Sequence, residues 1–232
     1  MTNTLVFTAT YNEAENISKL LDNLLSLKLE LDILIVDDNS PDKTYEIIKK
    51  YSEKNPSILL HSRNYKLGLD TAHKFAYSFA KKNNYTNLIT LDADLSHDHK
   101  EIPKIISILK KKEFVIGSRY MKGGKCEMSF LRLLLSYIGN KIIKYTLKIN
   151  IDEFTTSFRG FNLMLLNNFD LNMVNSKGYS FFMETIFRLD KCGISIVQIP
   201  IHFKNRTQGK SKIPKLEIFR TLTNLFILKF LK

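Results

Sequence analysis

Leu88-Ile89-Thr90-Leu91-Asp92-Ala93-Asp94 is a short apolar run that stops at two aspartates one residue apart. A run of this length with a polar break reads as a buried strand over Leu88–Leu91. The pattern recurs on both sides of it: Leu5–Thr10, Ile33–Asp37, Ile58–His61 and Phe114–Gly117 read as strands, most of them ending at a polar residue or glycine. Between them, Glu13–Leu27, Pro41–Lys54, Gly68–Lys82 and Lys100–Lys112 read as helices. Asn12 is placed to cap the first helix, with Glu15 completing a capping box. Ser40 precedes Pro41 as the N-cap of the second. Strands alternating with helices predict an α/β protein with a parallel, doubly wound sheet. Sites in such sheets lie beyond the carboxyl ends of the strands, a rule that selects Thr10–Glu13, Asp37–Ser40 and Asp92–His97.

The second half differs in kind. Met128–Leu147 mixes leucines, isoleucines and tyrosines with Arg132, Lys141 and Lys144, as an amphipathic basic helix does. Tyr179–Leu189 reads as a helix with Phe181-Phe182-Met183 as core, Ile194–Ile199 as a strand ending at Pro200, and Pro214–Leu231 as a last amphipathic helix. No uncharged apolar run approaches the ~18 residues that span a bilayer. Without a repeat, a low-complexity stretch or a linker, residues 1–232 are expected to form one domain.

The net charge of +12 is unevenly spread. Residues 1–112 hold 16 Lys/Arg against 15 Asp/Glu, whereas residues 113–232 hold 19 against 8. The second half is therefore expected to face an anion: nucleic acid, a phosphorylated substrate or an acidic membrane surface. Nucleic acid is disfavoured, because aromatic residues do not interleave with the basic ones as in a single-strand platform. Lys110-Lys111-Lys112 reads as a solvated helix end. Cys126 and Cys192 lack metal-ligand spacing, and Met1–Leu5 lacks the basic-then-apolar start of a secretory signal, so free buried thiols are expected.

Asp92 and Asp94, two carboxylates separated by one residue on an extended segment, point the same way and can share one hard cation, Mg²⁺ or Mn²⁺. Exposed turn aspartates are the alternative. Asp37 or Asp38 can accept from a nucleobase or ribose, the alternative being that both only assist a helix N-terminus. Tyr11 can stack on a base, and Glu13 can accept from ribose or base. No Walker or Gly-x-Gly-x-x-Gly motif follows the first strand, which disfavours a P-loop or dinucleotide site. His97-Asp98-His99 is expected at an exposed helix start.

Taken together, Thr10-Tyr11-Asn12-Glu13-Ala14-Glu15-Asn16, Val36–Asp42, Lys66-Leu67-Gly68-Leu69, Leu91–His97, Gly117-Ser118-Arg119-Tyr120, Thr156–Gly160, Lys177-Gly178-Tyr179 and Ser211-Lys212 run in a familiar order. The chain resembles the polyprenyl-phosphate (dolichol-phosphate) mannose synthases of the family-2 glycosyltransferases over almost its whole length. The resemblance implies a GT-A fold, a Rossmann-like α/β architecture with a central, mostly parallel sheet and C-terminal amphipathic helices. It implies an inverting glycosyltransferase that moves a hexose, mannose from GDP-mannose, to a polyprenyl phosphate with Mg²⁺ or Mn²⁺. By carry-over, Thr10, Tyr11, Glu13, Asp37, Asp38 and Ala93 would bind the nucleotide sugar. Asp92 and Asp94 would hold the metal, with Ser96 as a third polar contact. Arg119, Arg132, Ser136, Arg206 and Lys212 would surround the phosphates. Residues 1–120 would then be the donor half, and 121–232 the half facing the acceptor and membrane.

The implied setting is the cytoplasmic face of a membrane, with peripheral attachment and room for a membrane-anchoring protein partner. Several residues depart from the family pattern. Ala9 replaces a proline, Thr156 stands where glycine is common, Asp70 where a small residue is common, and the transmembrane tail of some relatives has no counterpart. The late motif reads Thr207-Gln208-Gly209-Lys210-Ser211-Lys212 in place of Tyr-Gly-Glu-Ser-Lys, which adds positive charge. An acceptor phosphate is already an anion and needs no side-chain base. The alternative is a family-2 enzyme acting on a saccharide or lipid-linked oligosaccharide hydroxyl, with Glu184 or Asp152 as base. A nucleotidyltransferase would also use paired aspartates, but gives no reason for the late amphipathic helices.

Overall fold

The apolar runs of the first half become strands buried on both faces, except the edge strand at Ile58–Ser62, which is only half-buried. A computed structural model of the protein describes residues 4–205 and 217–230. The first five strands are β1 (Thr4–Thr10), β2 (Asp32–Asp37), β3 (Ile58–Ser62), β4 (Asn87–Thr90) and β5 (Phe114–Ser118). Alternate side chains of one strand serve two cores. Leu5 and Phe7 of β1 face one, and Val6 faces the other. Helices α3 (Leu69–Lys82), α5 (Phe130–Leu147), α6 (Ser180–Lys191) and α7 (Glu217–Phe230) cover the first face. Helices α1 (Ile17–Leu25), α2 (Thr44–Lys54) and α4 (Ile102–Leu109) cover the second. Phe181, Phe182 and Met183 are buried as expected.

The sheet has seven strands in the order β3-β2-β1-β4-β7-β5-β8, where β7 is Arg159–Asn162 and β8 is Ile196–Pro200. The five strands of the first half share one direction, as expected, and the one antiparallel strand comes from the second half. Strand β7 runs antiparallel between β4 and β5, pairing Thr90 with Arg159 and Ile116 with Arg159. All other pairings in this sheet are parallel. A close approach explains Gly160 of β7, since a Cβ there would meet Ile105 of α4 at 2.5 Å. A two-stranded ladder of β6 (Lys125–Cys126) and β9 (His202–Phe203) flanks the main sheet.

Two expected caps are not made. Helix α1 starts at Ile17, and Asn12 instead adopts φ 57°, a left-handed conformation that asparagine tolerates. Helix α2 starts at Thr44, where the Asp42 carboxylate accepts the Thr44 amide at 3.0 Å, and Ser40 turns towards Asp37. The segment after Asp98 opens with a 3₁₀ turn, His99–Glu101, before α4. Cys126 and Cys192 are free thiols but half-buried, not buried, because both lie at element ends. Lys110, Lys111 and Lys112 are exposed, as a solvated helix end requires.

Candidate functional site

The carboxyl ends of β1, β2 and β4 bring the three selected segments to one edge of the sheet. At the β1–β2 end, Asp37 is fully buried and acts as a hub. Its Oδ1 accepts from Thr10 Oγ1 at 2.8 Å and from Ser40 Oγ at 2.6 Å, and its Oδ2 accepts the Ser40 amide at 2.9 Å. Ser40 Oγ in turn accepts the Asn12 amide at 3.0 Å, which ties the Thr10–Glu13 loop to the Asp37–Ser40 loop. Asp38 turns the other way. Its Oδ1 pairs with Arg63 Nη1 at 2.8 Å and its Oδ2 accepts the amide of Gly68, whose φ of 98° suits glycine. Arg63, on which this arrangement depends, was not selected from the sequence, where nothing marks it.

Tyr11 and Glu13 sit on the rim. Lys66 Nζ lies 3.8 Å from the centroid of the Tyr11 ring, so the Lys66–Leu69 motif meets the Tyr11 motif here. The Glu13 amide donates to Thr44 Oγ1 at 2.9 Å and its carboxylate accepts from Asn16 at 2.9 Å.

Beyond β4 the chain makes a tight turn. Leu95 takes φ 64°, rare for a residue with a bulky side chain, and the turn lets both the amide and Oγ of Ser96 reach Asp94 Oδ1 at 3.1 and 2.6 Å. Asp94 and Ser96 are buried, while the Asp92 side chain is 38% exposed. Ala93 faces the core and brings only its backbone to this edge. Asp92 Oδ1 accepts from Ser157 Oγ at 2.6 Å.

His97 is the main correction to the sequence reading. It is buried rather than exposed, stacked 5.1 Å from Phe158 and edge-on to Phe203. Its Nδ1 accepts the Asp92 amide at 3.2 Å, which leaves the proton on Nε2, 3.3 Å from Thr156 Oγ1. Burial holds its pKa below the usual histidine range against the pull of Asp92 and Asp94, so the ring is neutral. Both ring nitrogens are engaged inside the protein.

Among the described residues, no group of three or more His, Cys, Asp or Glu is placed to hold a metal ion. What the described residues offer a cation is a pair of carboxylates, each accepting a serine hydroxyl on Oδ1. Oxygen donors of this kind suit a hard cation that completes its shell with substrate phosphates and water. The donor set fits Mg²⁺ or Mn²⁺.

Arg119 follows β5 but does not project freely. Its fork grips Glu153, with Nε 2.7 Å from Oε2 and Nη2 2.8 Å from Oε1, and Nη2 also reaches Thr155 Oγ1 at 2.9 Å. Glu153 is wholly buried, a placement that Asp152-Glu153 in the sequence does not announce. Next to this pair, the Tyr120 hydroxyl donates to Ser136 Oγ at 2.6 Å. Arg132 is exposed on the first turn of α5. Arg206 and Lys212, with the rest of the late motif, lie outside the described residues.

Arg119, Tyr120, Phe130, Leu133, Leu134 and Tyr137 are among the residues that line a cleft of about 370 Å³. The helices of the second half also carry many exposed apolar residues. Phe130, Leu131, Leu135, Ile138, Ile142 and Tyr145 of α5 are exposed, as are Leu222, Phe226, Ile227 and Phe230 of α7. Helices α5 and α7 pack on each other. Apolar exposure on this scale marks an interaction surface rather than scattered residues. A second cleft, of about 440 Å³, opens at the amino edge of the sheet among Thr4, Asn87, Lys110 and Asn162, and gathers none of the motif residues.

Neither base proposed for a hydroxyl acceptor stands ready. Glu184 is buried and accepts the amides of Asn175 and Ser176 at 3.1 and 2.7 Å, and Arg188 Nε at 3.0 Å. Asp152 accepts from Lys144 at 2.9 Å.

Residues 5–169 match the family model described as glycosyl transferase family 2. The chain is 32% identical over 210 residues to the undecaprenyl-phosphate mannosyltransferase of Micrococcus luteus, covering 90% of this chain and 86% of the relative. It is also 32% identical over 213 residues to the polyprenol monophosphomannose synthase of Mycolicibacterium smegmatis, covering 90% and 80%. In fold it is similar to glucosyl-3-phosphoglycerate synthase from Mycobacterium tuberculosis in complex with Mn²⁺, uridine diphosphate and glucosyl-3-phosphoglycerate. There the TM-score is 0.70 at 13% identity, covering 99% of this chain and 80% of that one.

Proposed function

The chain belongs to glycosyl transferase family 2, with a GT-A fold, and from that premise we propose that it transfers mannose from GDP-mannose to a polyprenyl phosphate at a membrane surface. The observation that carries the acceptor is the largely apolar cleft lined by Arg119 together with α5 residues, of which Phe130, Leu134 and Tyr137 are also exposed on that helix. A long isoprenoid chain needs such a surface, and its phosphate needs cations beside it.

Thr10, Tyr11, Glu13, Asp37 and Asp38 form the nucleoside end. Tyr11 offers a ring face and Glu13 a carboxylate, while Asp37 and Asp38 act mainly by holding the two loops that carry them. Asp92 and Asp94 hold a divalent cation, and Ser96 acts through Asp94. When bound, the cation supplies Lewis-acid stabilisation to the departing nucleoside diphosphate. Arg132 meets the acceptor phosphate, for which a guanidinium fork is well shaped. Arg119, already forked onto Glu153 in a neutral pair, shapes the cleft through Tyr120 and Ser136. A phosphate acceptor attacks as an anion, so in-line displacement with inversion proceeds without a side-chain base. The engagement of Glu184 and Asp152 elsewhere agrees with this.

Residues 1–120 serve the donor and 121–232 the acceptor in this reading. Among the described residues, no helix is long and apolar enough to cross a membrane. In the reading proposed here attachment is peripheral, on the cytoplasmic face, with the aromatic and aliphatic residues of α5 and α7 entering the interface. That same surface is where a membrane-anchoring partner would bind.

Incubating the protein with Mn²⁺, polyprenyl phosphate in vesicles and a panel of nucleotide sugars, followed by mass analysis of the lipids, tests the reading. A lipid monophosphohexose formed from GDP-mannose is the expected product. A hexose found only on a saccharide hydroxyl, or only from another nucleotide sugar, overturns the corresponding part.

A further inference from the structure

The loop that opens α6 belongs to the second half of the chain, yet a carboxylate of the first half fastens it. Asp70, a departure from the family pattern, lies in the first turn of α3 and is buried. Its Oδ1 accepts the Gly178 amide at 3.2 Å, across 108 residues of sequence. Gly178 takes φ 62°, a conformation that glycine adopts without strain. The same oxygen would lie 3.3 Å from a Cβ on Gly68, so the Asp70 carboxylate sits between the two glycines. Asp38 accepts the Gly68 amide at 3.0 Å, which makes a continuous run of contacts from the nucleoside end to this loop. Two further groups hold it. Lys74 of α3 donates to the Val174 carbonyl, and Glu184 of α6 accepts the amides of Asn175 and Ser176. Asn175 and Lys177 are nevertheless exposed.

The place of the loop along the sheet edge follows from what α6 packs on. The His73 ring of α3 meets Phe7 of β1 and Phe182 of α6 edge-on, with centroids 5.0 and 5.1 Å away. The Phe182 carbonyl accepts from Arg159 of β7, and β7 is the neighbour of β4. The start of α6 therefore lies over β1, β4 and β7, on the way from the nucleoside end to the aspartates that follow β4. A nucleotide sugar spanning those two points runs nucleoside, diphosphate, hexose, and its hexose lies furthest from Tyr11. We propose that Asp70 is a positioning residue that docks loop 175–179 against the hexose of the donor. The inference rests on the donor assignment made above. Asn175 and Lys177 supply an amide and an ammonium, both donors for ring hydroxyls. Asp70 acts through the loop without touching the donor, and a loop ordered in advance lowers the cost of binding.

Calorimetric titration of the full chain with Mn²⁺ present, using GDP and GDP-mannose as separate ligands, distinguishes hexose contacts from nucleotide contacts. Asp70→Ala should weaken GDP-mannose by roughly 5- to 10-fold, about what one net hydrogen bond is worth, and leave GDP within about twofold. Asp70→Asn keeps an acceptor oxygen for the Gly178 amide and should restore GDP-mannose binding. Equal weakening of both ligands would make Asp70 a purely structural residue and overturn the proposal. Unchanged GDP-mannose binding in Asp70→Ala would do the same. Hydrogen exchange on the parent needs no variant, and so stands even if Asp70→Ala unfolds. Amides of residues 175–179 should exchange more slowly with GDP-mannose bound than with GDP bound, and equal rates would refute the docking. A parent that binds no GDP-mannose overturns the donor assignment itself. A parent that binds it beside an unaffected Asp70→Ala defeats this inference alone.

Discussion

Replacing Arg119 by methionine strips the two-pronged grip from Glu153, a carboxylate with 0% of its side chain exposed. Thr155 still donates to Oε1 through its amide and hydroxyl, at 3.1 and 2.9 Å, but the hydrogen-bonded cation is gone and Arg159 acts on the charge only through space. Removing one partner of a buried pair costs about 3–5 kcal/mol, because the other charge is left stranded. For a chain of this length each kcal/mol lowers the melting midpoint by about 2–4 °C, so a fall of roughly 6–20 °C is expected. Adding Glu153→Leu removes the stranded charge and should recover most of the loss, leaving the double variant within about 2 kcal/mol of the parent.

The pH dependence sharpens the test. In the parent, burial pushes the Glu153 pKa up, but the charge and hydrogen bonds of Arg119 outweigh it and hold the carboxyl below its usual 4.5. A folded pKa below the unfolded one gives stability that is present above the unfolded value and lost as pH falls through the folded one. In Arg119→Met the largest opposing influence is gone and burial raises the pKa. The penalty is then present at neutral pH and relieved as the carboxyl protonates. Thermal melts by circular dichroism should therefore show the gap between parent and variant narrowing from neutral pH towards about pH 5. A single variant within about 1 kcal/mol of the parent, the range of an exposed pair, would refute the reasoning. So would a gap that widens on acidification.

Asp92→Asn/Asp94→Asn should lower kcat by roughly 10³-fold while the melting midpoint changes little, since a bound cation contributes several kcal/mol to the transition state. Retained Mn²⁺-dependent turnover would contradict the assignment of these aspartates. Glu184→Gln should lose about 1–3 kcal/mol of stability in urea melts, because its carboxylate anchors two amides and Arg188, yet keep its turnover within a few-fold. Abolished turnover with intact donor binding would point to a base and hence to a hydroxyl acceptor. Gly160→Ala should destabilise by about 1–3 kcal/mol in the same melts, as α4 must shift away from a Cβ 2.5 Å from Ile105. Phe226→Ser/Phe230→Ser should reduce co-sedimentation with anionic vesicles by at least ~10-fold, the equivalent of burying one large apolar side chain. Unchanged sedimentation would remove α7 from the membrane surface.

The sequence made the strand ends of the first half legible because burial on both faces leaves near-continuous apolar runs. That pattern delivered the sheet edge carrying Thr10, Asp37 and Asp92 before any contact was known. What it did not deliver depends on partners distant in the chain. Strand β7 is four residues, Arg159-Gly160-Phe161-Asn162, with no strand-like alternation of its own, and it becomes a strand only between β4 and β5. His97 reads as exposed among Ser96, Asp98 and His99, and only Phe158 and Phe203 bury it. Glu153 and Arg63 carry no local signal, since a buried carboxylate or guanidinium is identified by its partner. Asn12 and Ser40 misled as caps because short polar side chains serve turns as well as helix starts.

The antiparallel β7 has a consequence for how the chain is made. During synthesis β1 to β5 emerge first, yet β4 and β5 do not pair with each other and must wait for a strand some 70 residues downstream of β4. Until Arg159–Asn162 leaves the ribosome, both keep unpaired edges, and Thr90 and Ile116 lack their shared partner. The same insertion carries Ser157 onto Asp92. The carboxylate pair is therefore complete only after the sheet is closed, and a nascent or truncated chain ending before β7 should aggregate along those edges rather than present a working cation site.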